Sequence, residues 1–149
     1  MIRAVVDVNV LISAIIGPLG HSREVALAWE SGRFGVVSSA GMIAKLEEKL
    51  SLPRITRRYT IDSSAAIRWI QLLLSSQTEM VLVPIHERLP ITGDPEDDYV
   101  LATGRLAQVD YLVTGDKGLL ELRQYEGVEI VSPRVFLELL AAEESDATS

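Results

Sequence analysis

The sequence predicts an α/β fold, a three-layer sandwich with a central parallel sheet of about five strands. Short β-branched runs alternate with amphipathic segments along the whole chain. That alternation favours parallel strands joined by helical crossovers. No internal repeat, low-complexity segment or linker interrupts it. At 149 residues the chain has the length of a single domain with a real core. We assign that domain to residues 1–143 and a disordered acidic tail to 144–149.

Each element has a local reason. Ile2 to Val8 is short, β-branched and almost continuously apolar, as a buried strand requires. Asn9 to Ile16 reads as an apolar helix ending at Gly17-Pro18. Ser22 to about Ser31 is a helix with Val25, Ala28 and Trp29 on one face, stopped by Gly32. Phe34 to Ser38 is the second strand. Ser39 stands where it would cap a helix running to Leu50, whose apolar stripe is Met42, Ile43, Leu46 and Leu50. Ile61 to Gln77 reads as a long helix with Ile67, Ile70, Leu73 and Leu74 inward. Met80 to Val83 is a third strand. Asp94 caps a helix with Pro95 at its first position and Val100, Leu101 and Leu106 beyond. Tyr111 to Thr114 and Glu129 to Val131 complete the strands, and Ser132-Pro133 opens a helix to about Glu143.

Composition narrows the chemistry. With no cysteine and two histidines, thiol catalysis and a disulfide framework are excluded and any metal ligands should be oxygens. No apolar run reaches the length of a membrane helix, and the N-terminus leads into a strand without a signal peptide. The expectation is a cytoplasmic protein. A net charge of -7 argues against a general positive field for nucleic acid, though a local basic patch is compatible with it.

Three aspartates carry the functional signal. Asp7, Asp97 and Asp116 each stand where an apolar run gives way to a turn or a helix start. Strand ends of a parallel sheet lie side by side at one edge, where ligands bind. Clustered carboxylates there call for a hard cation such as Mg2+ or Mn2+. Asn9 and Thr114 are supporting polar groups, and Gly115 suits a tight turn. Taken singly, Asp97 is better explained by the helix dipole, Asp94 by capping, and Asp98 as a solvated first-turn acid. Asp7 is harder to set aside, because a lone charge at the end of a buried strand is costly.

Arg54, Arg57, Arg58 and Tyr59 cluster between two helices. Guanidinium groups suit RNA phosphates and tyrosine stacks on bases. A solvated connection without a ligand explains the cluster equally well. Trp29 and Trp69 lie on apolar helix faces and read as core or subunit interface, while His21 and His86 receive no role.

The chain resembles the PIN domain family, particularly the VapC-like toxin nucleases of toxin-antitoxin systems. The resemblance rests on Val6-Asp7-Val8-Asn9-Val10-Leu11-Ile12-Ser13-Ala14, Leu50-Ser51-Leu52-Pro53-Arg54-Ile55, Asp94-Pro95-Glu96-Asp97-Asp98 and Leu112-Val113-Thr114-Gly115-Asp116-Lys117-Gly118. It implies an acidic Mg2+ or Mn2+ pocket of Asp7, Asp97 and Asp116 that hydrolyses single-stranded RNA to a 3' hydroxyl and a 5' phosphate. Asn9, Thr114 and Asp94 match supporting positions. A homodimer and a small antitoxin protein are the implied partners.

One position departs from that pattern. The family usually has a glutamate about six residues after the serine that opens the third helix, and here Lys45 stands there. Glu48 lies one turn further on and is a candidate substitute ligand, and Gly118 replaces another frequent acid. Two functional expectations follow: a metal-dependent ribonuclease, or a catalytically weakened module that binds RNA or protein. A small-molecule phosphohydrolase is a third class, but its aspartyl-nucleophile families want an aspartate where Asn9 stands.

Overall fold

The computed structural model describes residues 1–17, 19–57, 63–84 and 91–148, with the side chains at 54, 56, 147 and 148 excepted. The elements run β1 (Arg3–Val6), α1 (Val8–Ile16), α2 (His21–Glu30), β2 (Gly35–Ser38), α3 (Ala40–Leu50), α4 (Pro53–Thr56), α5 (Ser63–Leu73), β3 (Glu79–Met80), α6 (Pro95–Ala107), β4 (Tyr111–Val113), α7 (Lys117–Leu122), β5 (Gln124–Tyr125), β6 (Val128–Val131) and α8 (Pro133–Thr148). The sheet has six strands in the order β3-β2-β1-β4-β6-β5, flanked by helices. All neighbours are parallel except β5, which runs antiparallel to β6.

The strand order places the site. From β1 the chain steps outward to β2 and β3, then returns through α6 to β4 on the other side of β1. The order therefore reverses between β1 and β4, and such a reversal opens a crevice at the carboxyl ends of the strands. Val6 pairs with Val113, so the next residues, Asp7 and Thr114, stand side by side at that edge. The Asp7 amide closes the ladder by donating to the Val113 carbonyl at 2.9 Å.

The core accounts for the helices. In α1, Val8, Val10, Leu11, Ile12, Ala14 and Ile15 are all buried, because α2 and α3 pack on the helix. Each large aliphatic side chain buried there contributes about 1.5–3 kcal/mol. Trp29 and Trp69 are core residues, and the Trp69 indole N–H donates to Glu30 at 2.7 Å.

Several elements differ from the sequence reading. Helix α5 buries Ala65, Ala66, Trp69 and Leu73, while Ile67 and Leu74 are exposed. The indole sets the inward direction, and the small alanines let the helix approach its neighbours. Ser39 stands at the cap position of α3, but its hydroxyl bonds the Thr103 hydroxyl at 3.1 Å and caps nothing. The third strand shrinks to two residues, leaving Leu82 86% exposed. A sixth strand comes from the β5–β6 hairpin, whose turn residues Glu126 and Gly127 both have positive φ, the requirement of a type I′ turn. Helix α8 continues past Glu143 to Thr148, and Arg33 holds Glu144 through two hydrogen bonds.

Candidate metal and phosphate site

Asp7 is 5% exposed at the N-cap of α1. Burial pushes its carboxyl above the usual range, opposed by the Thr114 hydroxyl, the Asn9 amide, the charge of Lys49 and the Val8 amide. Thr114 is fully buried and links two acids. Its hydroxyl donates to Asp7 Oδ2 at 2.8 Å and accepts from the Asp116 amide at 3.0 Å. Thr114 thus holds the loop after β4 against the end of β1. That loop needs no glycine: Gly115 is not left-handed, and a Cβ there would meet nothing within 4 Å.

Asp116 caps α7 by accepting from the Leu119 amide at 3.1 Å. Asp97, in the first turn of α6, lies close enough to Asp116 for the two carboxyls to act on each other directly. Like charges so placed favour the protonated form of Asp97. Burial first, then the negative charges of Asp116 and Asp94, the direct contact with Asp116 and the charge of Asp7 push Asp97 up to about 7. The three aspartates therefore form one electrostatic unit. Asp94 caps α6 through the Glu96 amide at 2.9 Å. Asp98 is not solvated: it is 5% exposed and its Oδ1 accepts from the Thr92 amide, the Thr92 hydroxyl and the Ile91 amide at 2.8, 2.9 and 3.2 Å. It anchors the approach to α6 and so helps to set where Asp97 stands.

A cavity of about 500 Å³ opens beside these acids, with Asp7, Asn9, Lys45, Glu96, Asp97 and Tyr99 among its walls. The Tyr99 hydroxyl accepts from the Gly41 amide at 3.2 Å. A Cβ at 41 would lie 2.5 Å from the tyrosine ring, so any larger residue there requires the ring to move. The α3 side of the site is basic. Lys45 reaches Glu48 and Glu96, each at 3.2 Å, and Lys49 reaches Glu96 at 2.9 Å and Asn9 Oδ1 at 3.2 Å. The bonds to Lys49 and Lys45 hold the Glu96 carboxyl below its ordinary range.

The expected site residues are thus distributed unevenly. Asp7, Asp97, Asp116, Thr114 and Asp94 share one electrostatic neighbourhood. The Asn9 side chain turns to Lys49, and its backbone amide is what bonds the Asp7 carboxylate. Glu48 keeps a side chain 64% exposed and pairs with Lys45. Arg57 is exposed at the end of α4, whereas Arg58, Tyr59 and the Arg54 side chain lie outside the described residues, as does His86. Sequence reasoning missed Lys49, Glu96, Tyr99 and Gly41. The spacing of Lys45 and Lys49, one helical turn apart, was the available signal for the first of these.

The donor chemistry fits a hard divalent cation: the acids offer only oxygens, and the like charges that raise Asp97 are what a cation would offset. Among the described residues no three acidic or histidine side chains stand close enough to enclose an ion. Asp97 and Asp116 are the residues that would hold such an ion. A comparison with curated proteins finds no match. The PIN domain family model matches residues 3–118, well over half of the chain's 149 residues. PIN domains are generally metal-dependent nucleases that use divalent metals such as Mg2+. With the matched span containing all three aspartates and the sheet reversal that gathers them, the chain belongs to the PIN domain family.

Proposed function

We propose that the protein is a Mg2+- or Mn2+-dependent endoribonuclease that cleaves single-stranded RNA and serves as the toxin of a toxin-antitoxin pair. The observation that carries the reading is the gathering of buried Asp7 with Asp116, joined through Thr114, at the sheet's reversal point, with Asp97 raised by their charges. Asp97 and Asp116 would hold the ion, with Asp7 acting through water. When bound, the ion lowers the pKa of water and offsets charge on the scissile phosphate. Thr114 keeps Asp7 and the Asp116 loop in register. Asp98 fixes the start of α6, so that Asp97 needs little rearrangement to act. A homodimer and an occluding antitoxin protein belong to the same reading, as does work in the cytoplasm. No single helix among the described residues is long and apolar enough to cross a membrane.

A second reading has its own observation. Lys45 stands where the family's glutamate is expected, and Glu48 is engaged with it on an exposed flank. A protein so built would bind RNA or a partner protein and cut weakly. The deciding measurement is cleavage of a labelled single-stranded RNA with Mg2+ or Mn2+ by wild type, Asp116→Asn and Lys45→Glu. The ribonuclease reading expects cutting by wild type and a loss on the order of a hundredfold or more in Asp116→Asn. Cutting that appears only in Lys45→Glu would establish the weakened module. No cutting by any of the three would sink the nuclease reading.

A further inference from the structure

The basic wall of the cavity has chemistry that the metal reading leaves unused. Lys45 and Lys49 lie one turn apart on α3, so their ammonium groups rise from one stripe. Both meet one carboxylate, and each takes a different oxygen: Lys45 Nζ stands 3.2 Å from Glu96 Oε1, and Lys49 Nζ 2.9 Å from Glu96 Oε2. Glu48 is a further counter-charge of Lys45, on the outer flank at 3.2 Å. Lys49 is 16% exposed and tied to Asn9 Oδ1, so its ammonium position is held without Glu96. Glu96 itself is 45% exposed, and its carboxylate can leave for water while the lysines stay.

We propose that Lys45 and Lys49 form a phosphate-binding seat beside the aspartates, filled by Glu96 in the free protein and by a backbone phosphate of single-stranded RNA in the complex. The identity of the strand rests on the nuclease reading; the seat does not. A phosphodiester offers two non-bridging oxygens and one negative charge, the same count as the carboxylate it replaces. The exchange is therefore nearly neutral in charge, and Glu96 acts as an internal competitor. Glu96 adjoins Asp97 and Asn9 is two residues beyond Asp7, so a strand held here would lie across the acids. The seat also gives Lys45 a purpose where an acid is expected: it supplies positive charge to the strand instead of an oxygen to an ion.

The test is binding in metal-free buffer, where cleavage plays no part. Inorganic phosphate and a short single-stranded RNA are titrated separately, following the NMR signals of the lysine ammonium groups and the Asn9 side-chain amide. Removing an internal competitor raises apparent affinity by the reciprocal of the fraction of seats it had left open, so a Glu96 that fills about nine seats in ten predicts that Glu96→Gln binds both probes about tenfold more tightly than wild type. The double variant Lys45→Gln/Lys49→Gln should lose phosphate binding, and each single variant should weaken it. An RNA with uncharged methylphosphonate linkages should bind wild type and Glu96→Gln alike. Equal phosphate affinity of Glu96→Gln and wild type, with folding confirmed by circular dichroism, overturns the seat. Tightening for phosphate without tightening for RNA overturns the strand as its occupant. Failure of wild type to cut RNA while these binding differences persist counts against the nuclease reading alone.

Discussion

Glu96 and Asp97 are consecutive residues in the first turn of one helix, and their carboxyls are pushed in opposite directions. Hydrogen bonds from Lys49 and Lys45 pull Glu96 down. Burial and the charges of Asp116 and Asp94 push Asp97 up to about 7. The dipole of α6 favours a negative charge at both positions, so it cannot account for the difference. The decisive neighbours lie on α3 and in the loop after β4, so one helical turn presents two acids to unlike surroundings. Position in a helix therefore says less about an acid's chemistry than what faces it.

The comparison breaks most visibly in activity. If the proposed nuclease reading holds, Asp97→Asn should reduce RNA cleavage on the order of a hundredfold or more, because it would exchange a charged oxygen donor to the ion for a neutral amide. Glu96→Gln should retain cleavage within about tenfold, since the seat it vacates binds substrate and not the ion. Cleavage rates for the two variants measured side by side check this. Equal losses would show that the two acids belong to one site.

The acidic wall also rests on a single hydroxyl. Thr114→Val keeps the shape and deletes the bond to buried Asp7, so it should cost about 2 kcal/mol in urea denaturation. Among the described residues the basic side shows no such buried bond. Its packing is tested at Gly41, where alanine would press on the Tyr99 ring and should cost about 1–2 kcal/mol. A smaller loss in Gly41→Ala/Tyr99→Ala than in Gly41→Ala alone would identify the clash as the cause.

The smallest effect is on stability against pH, and it separates the two acids by sign. The folded pKa of Asp97 lies above its ordinary 3.8, so the folded state holds more protons between about 4 and 7. Its contribution is complete below 3.8 and is lost as pH rises through about 7. Asp7 is shifted in the same sense. Glu96 is lowered from 4.5, so its contribution is present above that value and lost as pH falls through its folded pKa. Metal-free protein should therefore gain stability on acidification from neutrality and lose it again at lower pH. Thermal melts across this range should show the upper limb flattened in Asp97→Asn and the lower limb flattened in Glu96→Gln.

Much of this arrangement was legible in the residues, because burial leaves periodic traces. The apolar runs at Val5-Val6, Val36-Val37 and Leu112-Val113 are strands in the structure, and Asp94-Pro95 caps α6 as its residue types require. Helix α5 was harder to read. Ile67 and Leu74 fit an apolar stripe as well as Trp69 and Leu73 do, and what packs against the helix decides which stripe turns inward. The β5–β6 hairpin was missed because its turn is Glu126-Gly127, without the asparagine or aspartate that usually marks positive φ at the first position.

For the site, the sequence alone determined which acids stand at strand ends and that any metal must be held by oxygens, since the chain has no cysteine and only two histidines. Those are properties of local pattern and composition. Only the tertiary structure decided that Thr114 bridges Asp7 and Asp116, that Asp98 is buried as an anchor, and that Lys49 reaches Asn9 and Glu96 from 40 and 47 positions away. Such contacts depend on strand order and helix placement, which set distances in space that spacing along the chain does not encode. Whether a carboxylate faces another acid or pairs with a lysine is settled there, by the groups the fold brings within about 4 Å.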